Sequence, residues 1–457
     1  MKDKLNLLSA KKIHFIGVGG VSMSGLARYL LSCGKVVSGS DNRMSETVKK
    51  LKDLGVLVHI GHSASFVKDV DLVVVTSAIS DDNEELLAAQ NRKIKVIKRS
   101  ELLGEIIKGY KKSIAVSGCH GKTTATAMIA HVLDRAGKDP TVFVGGEDFR
   151  FGNFRKGKDD FVVVEACEYK KNFLDIKADM SVVLNIDDDH GDSYINMDDM
   201  TDAFREFSKN SMLITNADDE KAEKLFNSTT LSFGMEKTAN YYAKNVKKNG
   251  RGYSFTACAY SMPYGRIELS IPGRHNVYNA LVAFAVGDVL KIPFIKIKSA
   301  LEEFASVKRR NEYLGSLFSL RAFADYAHHP KEIDATLSAF LEDGDDLVVV
   351  FQPHTYSRTK LLFKDFIRVL GRHDKLIIYK TYAAREKFDE KASAMSLCSA
   401  IKLEENKAVC YAENPTQLKC LIKEMAKDKK RVIFLGAGDI YEVAKNLITD
   451  SEGDKKR

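Results

Sequence analysis

Short runs of apolar, mostly β-branched residues alternate along this chain with longer stretches whose apolar positions recur at helical spacing. That rhythm predicts parallel sheets covered by helices, an α/β fold, repeated in three blocks. In the first block, residues 1–109, strands are expected at 13–18, 36–39, 56–60, 72–76 and 95–97. In the second, residues 110–306, they are expected at 113–117, 161–165, 182–185 and 213–216, with a helix at 123–135. After residue 229 the pattern changes to short alternating segments with turn signals at 248–250 and 263–265, an antiparallel addition closed by a helix at 276–290. The third block, residues 307–457, returns to the α/β rhythm with strands at 319–324, 347–351, 376–379 and 432–435. Its last residues, from Asp450, are polar and expected to fray.

The junction between the strand at 113–117 and the helix at 123–135 reads Gly118, Cys119, His120, Gly121, Lys122, Thr123, Thr124. A glycine turn between strand and helix aims backbone N–H groups and the positive helix end at one point; a lysine adds charge and a threonine a hydroxyl for Mg²⁺. This is a seat for nucleotide phosphates. It is shorter than the full G-x-x-x-x-G-K-[ST] loop, because Val116 stands at the first glycine position.

A second glycine loop, with Gly17, Gly19, Gly20, Ser22 and Gly25, follows the first strand, and the second strand leads into Ser40 and Asp41, whose carboxylate can reach a ribose or sugar hydroxyl. Residue types leave two ligands open here, a nicotinamide dinucleotide or another diphosphate such as that of a UDP-sugar. Glu165 closes a buried strand at the edge where open α/β sheets bind ligands, and Asp187, Asp188, Asp189 and His190 follow another. A nucleoside triphosphate brings Mg²⁺, which takes one or two protein groups beside phosphate oxygens, and Glu165 and His190 fit that need. For the acids 187–189 a solvated turn is the plainer reading.

Composition narrows the class further. With 457 residues, 44% hydrophobic and 29% charged, the chain is long enough for about three cores and too apolar for disorder. Its 70 Lys+Arg against 62 Asp+Glu are spread along the sequence, which suits small anionic substrates and argues against nucleic acid. Seven cysteines form neither CxxC pairs nor zinc spacings and no apolar run reaches membrane-spanning length, so a cytoplasmic protein with reduced thiols and no membrane partner is expected.

Taken together, Gly17 to Gly25, the G-x-x-G-K-T-T loop, Glu165-Ala-Cys-Glu168-Tyr169, Asn185 to His190, Gly273-Arg-His-Asn276, Asp325-Tyr-Ala-His-His-Pro330, Phe351-Gln-Pro-His354 and Gly436-Ala-Gly438 make the chain resemble the Mur ligases, ADP-forming enzymes that extend the peptidoglycan precursor. The likeness spans essentially the whole chain and is nearest to the members that join L-alanine to UDP-N-acetylmuramate. It implies a Rossmann-like first domain for the UDP-sugar, with Gly17, Gly19, Gly20, Ser22, Asp41 and Ser77 as contacts. It implies a central ATP domain of P-loop type and a Rossmann-like C-terminal domain for the amino acid.

The implied chemistry is attack of the lactyl carboxylate on the γ-phosphate of ATP, then displacement of phosphate by the alanine amine. By resemblance Lys122 neutralises the phosphates; Thr123, Glu165 and His190 hold Mg²⁺; His275 and Asn276 meet the adenine; Arg310 and Asp325 reach phosphates and ribose; and His329, His354 and Arg358 form the amino-acid end. A monomer or weak homodimer is expected.

Other roles compete for some of these residues. His328 and His329 before Pro330 can cap a helix, and Cys119 and Cys167 suit packing. Thr355 stands where many family members carry arginine, and the segment 202–208 has no lysine of the kind carbamoylated in some. Two other functions remain for comparison: a recycling ligase that attaches a peptide to the same nucleotide sugar, and a nicotinamide-dependent oxidoreductase, against which the Lys122 loop speaks.

Overall fold

The computed structural model describes residues 9–158, 160–187, 193–236, 238–342, 344, 346–405 and 409–454. It is a three-domain α/β chain built on three sheets. In the first, five parallel strands run in the order Leu57–Ile60, Val36–Asp41, Lys12–Ile16, Leu72–Val75, Lys95–Lys98. The chain therefore reverses direction beside Lys12–Ile16, and the first glycine loop leaves the C-terminal end of that strand, where a doubly wound sheet opens a crevice.

The second sheet has ten strands. At its centre Lys112–Ser117 lies between Met180–Val183 and Phe161–Glu165, parallel to both. The antiparallel addition is the meander Tyr241–Asn249, Gly252–Ala259 and Met262–Leu269 at one edge. A hairpin that the hydrophobic pattern did not reveal, Thr141–Asp148 with Gly152–Arg155, forms the other edge. In the third sheet five of the six strands are parallel, and the edge strand Glu312–Leu317 runs antiparallel to its neighbour Leu320–Asp325.

Central strands are apolar throughout because helices cover both faces: all five residues of Leu347–Phe351 are buried. Two compact units result, one comprising residues up to Ser270 with Asn276–Ala305, the other Ile271–His275 with Ser306–Arg457. Within the first unit one continuous buried cluster joins Phe15 of the first sheet and Leu26 of the helix after it to Phe143 of the second sheet and to Phe173 and Phe204 in the helical segments Tyr169–Asp175 and Met197–Ser208. Within the second unit the sheet buries Phe323, Val349 and Phe351 on one face and Leu320, Val348 and Phe434 on the other. Among the described residues no helix is long and apolar enough to cross a membrane.

Candidate functional site

The phosphate-type loop is stapled to the segment that follows the neighbouring strand. The Asn185 side chain accepts the His120 N–H at 2.8 Å and donates to the His120 carbonyl at 3.0 Å, while the Cys119 thiol donates to the Asp187 carbonyl at 3.1 Å. Cys119 is buried in this contact, in keeping with a packing role. The loop enters its helix, Lys122–Arg135, through Gly121 at φ +83, where a Cβ would lie 2.9 Å from Asn279 Oδ1. Only glycine fits that backbone without strain. Asn279 in turn donates to Asn276 at 2.9 Å, so the expected adenine contact Asn276 lies one helical turn from a residue that abuts the loop. Thr123 and Thr124 are buried in the first helical turn, whereas His120 keeps partial exposure and lies 3.3 Å from Asp187 Oδ2.

Lys122 is not an exposed loop residue. Its ammonium donates to the carbonyls of Gly118 at 2.6 Å and Cys119 at 3.0 Å and pairs with Glu168 at 3.0 Å. Burial alone would lower its pKa, but the Glu168 carboxylate more than offsets this and the net shift is upward. Glu168 is itself fully buried, and its backbone carbonyl accepts the Tyr194 hydroxyl. Sequence reasoning quoted Glu168 within a motif without giving it a role; an acid three residues beyond a strand-end acid carries no periodic signal of its own.

Glu165 ends its strand opposite Val116, directly beside the phosphate-loop strand. Its Oε2 accepts the Gly145 N–H at 2.8 Å, which leaves Oε1 without a hydrogen-bond partner among the described residues. That free carboxylate oxygen is a hard donor of the kind Mg²⁺ takes, as is the hydroxyl of Thr123 in the first turn of the loop's helix. The third expected metal group, His190, lies outside the described residues with Asp188 and Asp189. Among the described residues no cluster of three His, Cys, Asp or Glu could hold a metal alone.

A cavity of about 340 Å³ in the same unit runs from the first glycine loop to Glu165. Gly20, Ser22 and Ser77 are among its lining residues, as are Arg99, Glu165 and Cys167. Gly17 and Asp41 anchor this loop from below. The Gly17 and Val18 N–H groups donate to the Ser40 carbonyl, and Gly19 donates to Asp41 Oδ2 at 2.9 Å, so close that a Cβ on Gly19 would collide with that oxygen. Asn153, on the hairpin missed from sequence, donates to the Val21 carbonyl at 2.7 Å and to Ser24 at 2.9 Å, tying the second sheet to the first loop. Ser77 bonds to Asn172. Arg99, absent from the expected contacts, donates to Ser22 at 2.8 Å.

The second unit gathers another set. Asp325 accepts the N–H groups of Asn311 and Ala327, both at 2.8 Å; burial raises its pKa against the opposing charge of Arg310. Arg310 lies over the Tyr326 ring. Its neighbour Arg309, not singled out from sequence, donates to the carbonyls of Gly436 and Gly438 and so fixes the Gly-Ala-Gly turn. His329 caps the helix Pro330–Leu341 through the Lys331 N–H, the structural role foreseen for it.

His354 stacks on Tyr382 and lies 5.9 Å from the His328 ring. Its Nδ1 is buried without a hydrogen-bond partner among the described residues. Burial, then the positive charges of His328, Arg358 and Arg309, lower its pKa to about 3, so it is neutral at physiological pH. Thr355, at φ +66, holds this turn: its N–H donates to the Tyr382 carbonyl and its hydroxyl caps the helix Tyr356–Leu361 at the Arg358 N–H. No carboxylate pairs with the Arg358 guanidinium among the described residues. His275 opens the helix His275–Val289.

Comparison with known proteins gives one family along the chain. Residues 12–111 match the profile of the Mur ligase family catalytic domain, 116–287 the Mur ligase middle domain and 309–438 the Mur ligase glutamate ligase domain. The UDP-N-acetylmuramate–L-alanine ligase of Clostridium acetobutylicum is 41% identical over 96% of this chain and 98% of its own. That of Caldanaerobacter subterraneus subsp. tengcongensis is 40% identical over 98% and 100%. Among solved structures, UDP-N-acetylmuramate-alanine ligase from Thermotoga maritima superposes with a TM-score of 0.85 at 30% identity, covering 97% of this chain and 99% of the other. A murein peptide ligase from Psychrobacter arcticus shares the fold, with a TM-score of 0.74 at 20% identity over 96% and 98%.

Proposed function

The chain belongs to the Mur ligase family, and from that premise we propose that it joins L-alanine to the lactyl carboxylate of UDP-N-acetylmuramate at the expense of ATP, releasing ADP and phosphate in peptidoglycan precursor synthesis. The observation that carries this reading is the position of Glu165. It stands beside the Lys122 loop by strand register and also lines the cavity that begins at the first glycine loop. An acceptor seated on that glycine loop thus extends toward the group that meets the triphosphate.

The residues have distinct tasks in this reading. The loop from Gly118 to Thr124 cradles the phosphates of ATP, and Lys122 offsets the charge that grows on the β–γ bridge during transfer. Thr123 and Glu165, with His190, would hold Mg²⁺, which supplies charge neutralisation at the phosphates. Gly17, Gly19, Gly20, Ser22, Asp41 and Ser77 seat the UDP-sugar. His275 and Asn276 take the adenine, with Arg310 and Asp325 at the phosphates and ribose. In this assignment His329, His354 and Arg358 receive the amino acid, the guanidinium fork meeting its carboxylate. The lactyl carboxylate attacks the γ-phosphorus and ADP leaves; the alanine amine then adds to the acyl phosphate carbonyl, and the tetrahedral intermediate expels phosphate.

Rate enhancement comes chiefly from holding three substrates in line and from charges already in place. ADP release measured with UDP-N-acetylmuramate and a panel of amino acids and peptides tests the assignment. Turnover that requires alanine supports it. Preference for a peptide would favour the recycling ligase, and nicotinamide turnover without ATP would favour the oxidoreductase; the relatives at about 40% identity support neither, and the Lys122 loop speaks against the oxidoreductase.

A further inference from the structure

Of the described residues lining the cavity of about 340 Å³, Arg99 is the one cation and Glu165 the one carboxylate. Arg99 opens the helix Arg99–Ile107 directly after the edge strand Lys95–Lys98. Its side chain is half-buried, and NH1 donates to the Ser22 hydroxyl at 2.8 Å. A guanidinium has five N–H donors in a planar fork, and this hydrogen bond uses one. No carboxylate pairs with Arg99 among the described residues.

A ligase that activates a carboxylate must bring that anion close to a triphosphate and to Glu165, against the repulsion of both. Unless a cation stands beside it, the nucleophile is either repelled or protonated, and a protonated carboxyl does not attack phosphorus. Among the described residues lining the cavity one side chain, Arg99, is able to do this, and it is already held by the Ser22 hydroxyl.

We propose that Arg99 is a substrate-binding residue that clamps the carboxylate of the acceptor through the free edge of its guanidinium, and that Ser22 sets the direction of the fork. The inference rests on the ligase reading above and adds the group that distinguishes a carboxylate-bearing nucleotide sugar from one without it. The diphosphate of the same substrate is the competing anion, since a guanidinium accepts either.

UDP-N-acetylglucosamine has the same nucleotide and diphosphate but no lactyl carboxylate, so it separates the two. Dissociation constants of both nucleotide sugars are measured by calorimetry for the parent, Arg99→Ala and Arg99→Lys, with ATP affinity and thermal unfolding as controls for the fold. Loss of a hydrogen-bonded ion pair from this half-buried site should weaken UDP-N-acetylmuramate roughly 10- to 100-fold in Arg99→Ala. UDP-N-acetylglucosamine should stay within about two-fold, and Arg99→Lys should recover part of the loss. Equal weakening of both ligands, which assigns Arg99 to the diphosphate, overturns the proposal, and so does an unchanged affinity for UDP-N-acetylmuramate. If the parent protein itself does not prefer UDP-N-acetylmuramate and releases no ADP with it, the functional reading fails, independently of Arg99.

Discussion

Lys122 and Glu168 form a buried ion pair at 3.0 Å, with only 14% of the lysine side chain and 1% of the glutamate exposed to solvent. The lysine proposed to meet the phosphates of ATP is therefore also the counter-charge of a carboxylate inside the protein. Lys122→Ala should abolish ligation, since one such electrostatic group typically supplies about 3 to 4 kcal/mol of transition-state stabilisation. It should also lower stability by about 3 to 5 kcal/mol, because Glu168 loses its ammonium partner. The double variant Lys122→Ala, Glu168→Gln should regain much of that stability and none of the activity. Chemical denaturation beside an ADP-release assay reads both; a double variant no more stable than the single one would deny the pair its structural part.

A second buried carboxylate, Glu85, accepts from His14 and His62, both at 2.6 Å, deep in the first sheet's layer. Burial would raise its pKa, but the hydrogen bonds from His14, Ser40 and His62 together hold it below the usual carboxylate range. A depressed folded-state pKa contributes stability that is fully present above the unfolded value, about 4.3, and is lost as pH falls through the lower folded value. Glu85→Gln should therefore cost about 1 to 3 kcal/mol near pH 7. The gap between parent and variant should close as pH falls below about 4. Urea midpoints of both proteins across that range check the sign, and a gap that widens in acid would reverse it.

The sheets were legible where buried strands make continuous apolar runs: 161–165, 347–351 and 376–379 coincide with observed strands. The hairpin Thr141–Asp148 with Gly152–Arg155 was not, because Gly145 and Gly146 interrupt its first strand and the turn after it has no periodic signal. That omission hid the Gly145 N–H on Glu165 and the Asn153 clasp on the first loop. Glu168 was hidden for a related reason. The chain after Glu165 doubles back through Lys170 and Lys171, both at positive φ, which no hydrophobic pattern encodes.

Gly121 offers a test of the loop that leaves every charge in place. An added Cβ would sit at φ +83 and 2.9 Å from Asn279 Oδ1. Gly121→Ala should cost about 1 to 3 kcal/mol of strain and weaken ATP binding, because relief requires the N–H groups to turn away from the phosphates. UDP-N-acetylmuramate affinity, assigned in the proposal to the other glycine loop, should stay unchanged. Calorimetric titration of each nucleotide separates these effects; equal losses for both would mean that the substitution unfolds the whole unit.

Capture of the amino-acid carboxylate, in the proposed assignment, depends on the charges around His354. That ring is neutral, with a pKa near 3, so in the proposed assignment the cation offered to the α-carboxylate is Arg358. A guanidinium pairs any α-carboxylate equally well, and discrimination must come from the space around the side chain. Glycine lacks one methyl, worth about 1 to 3 kcal/mol in a fitted apolar pocket, and serine adds a hydroxyl that such a pocket rejects only weakly. Alanine should be the best substrate, glycine and serine slower by roughly 10- to 200-fold, and leucine or glutamate excluded by size or charge. Arg358→Lys should raise the KM of every accepted amino acid by a similar factor, since it replaces a two-point fork by a point charge without changing the pocket. The KM should show no inflection from His354 between pH 5 and pH 9, as the ring does not titrate there. Competition between amino acids at equal concentration measures the ranking. A change in Arg358→Lys confined to the KM for ATP would move this residue out of the amino-acid site, and a preference for glutamate would overturn the assignment of the acceptor amine.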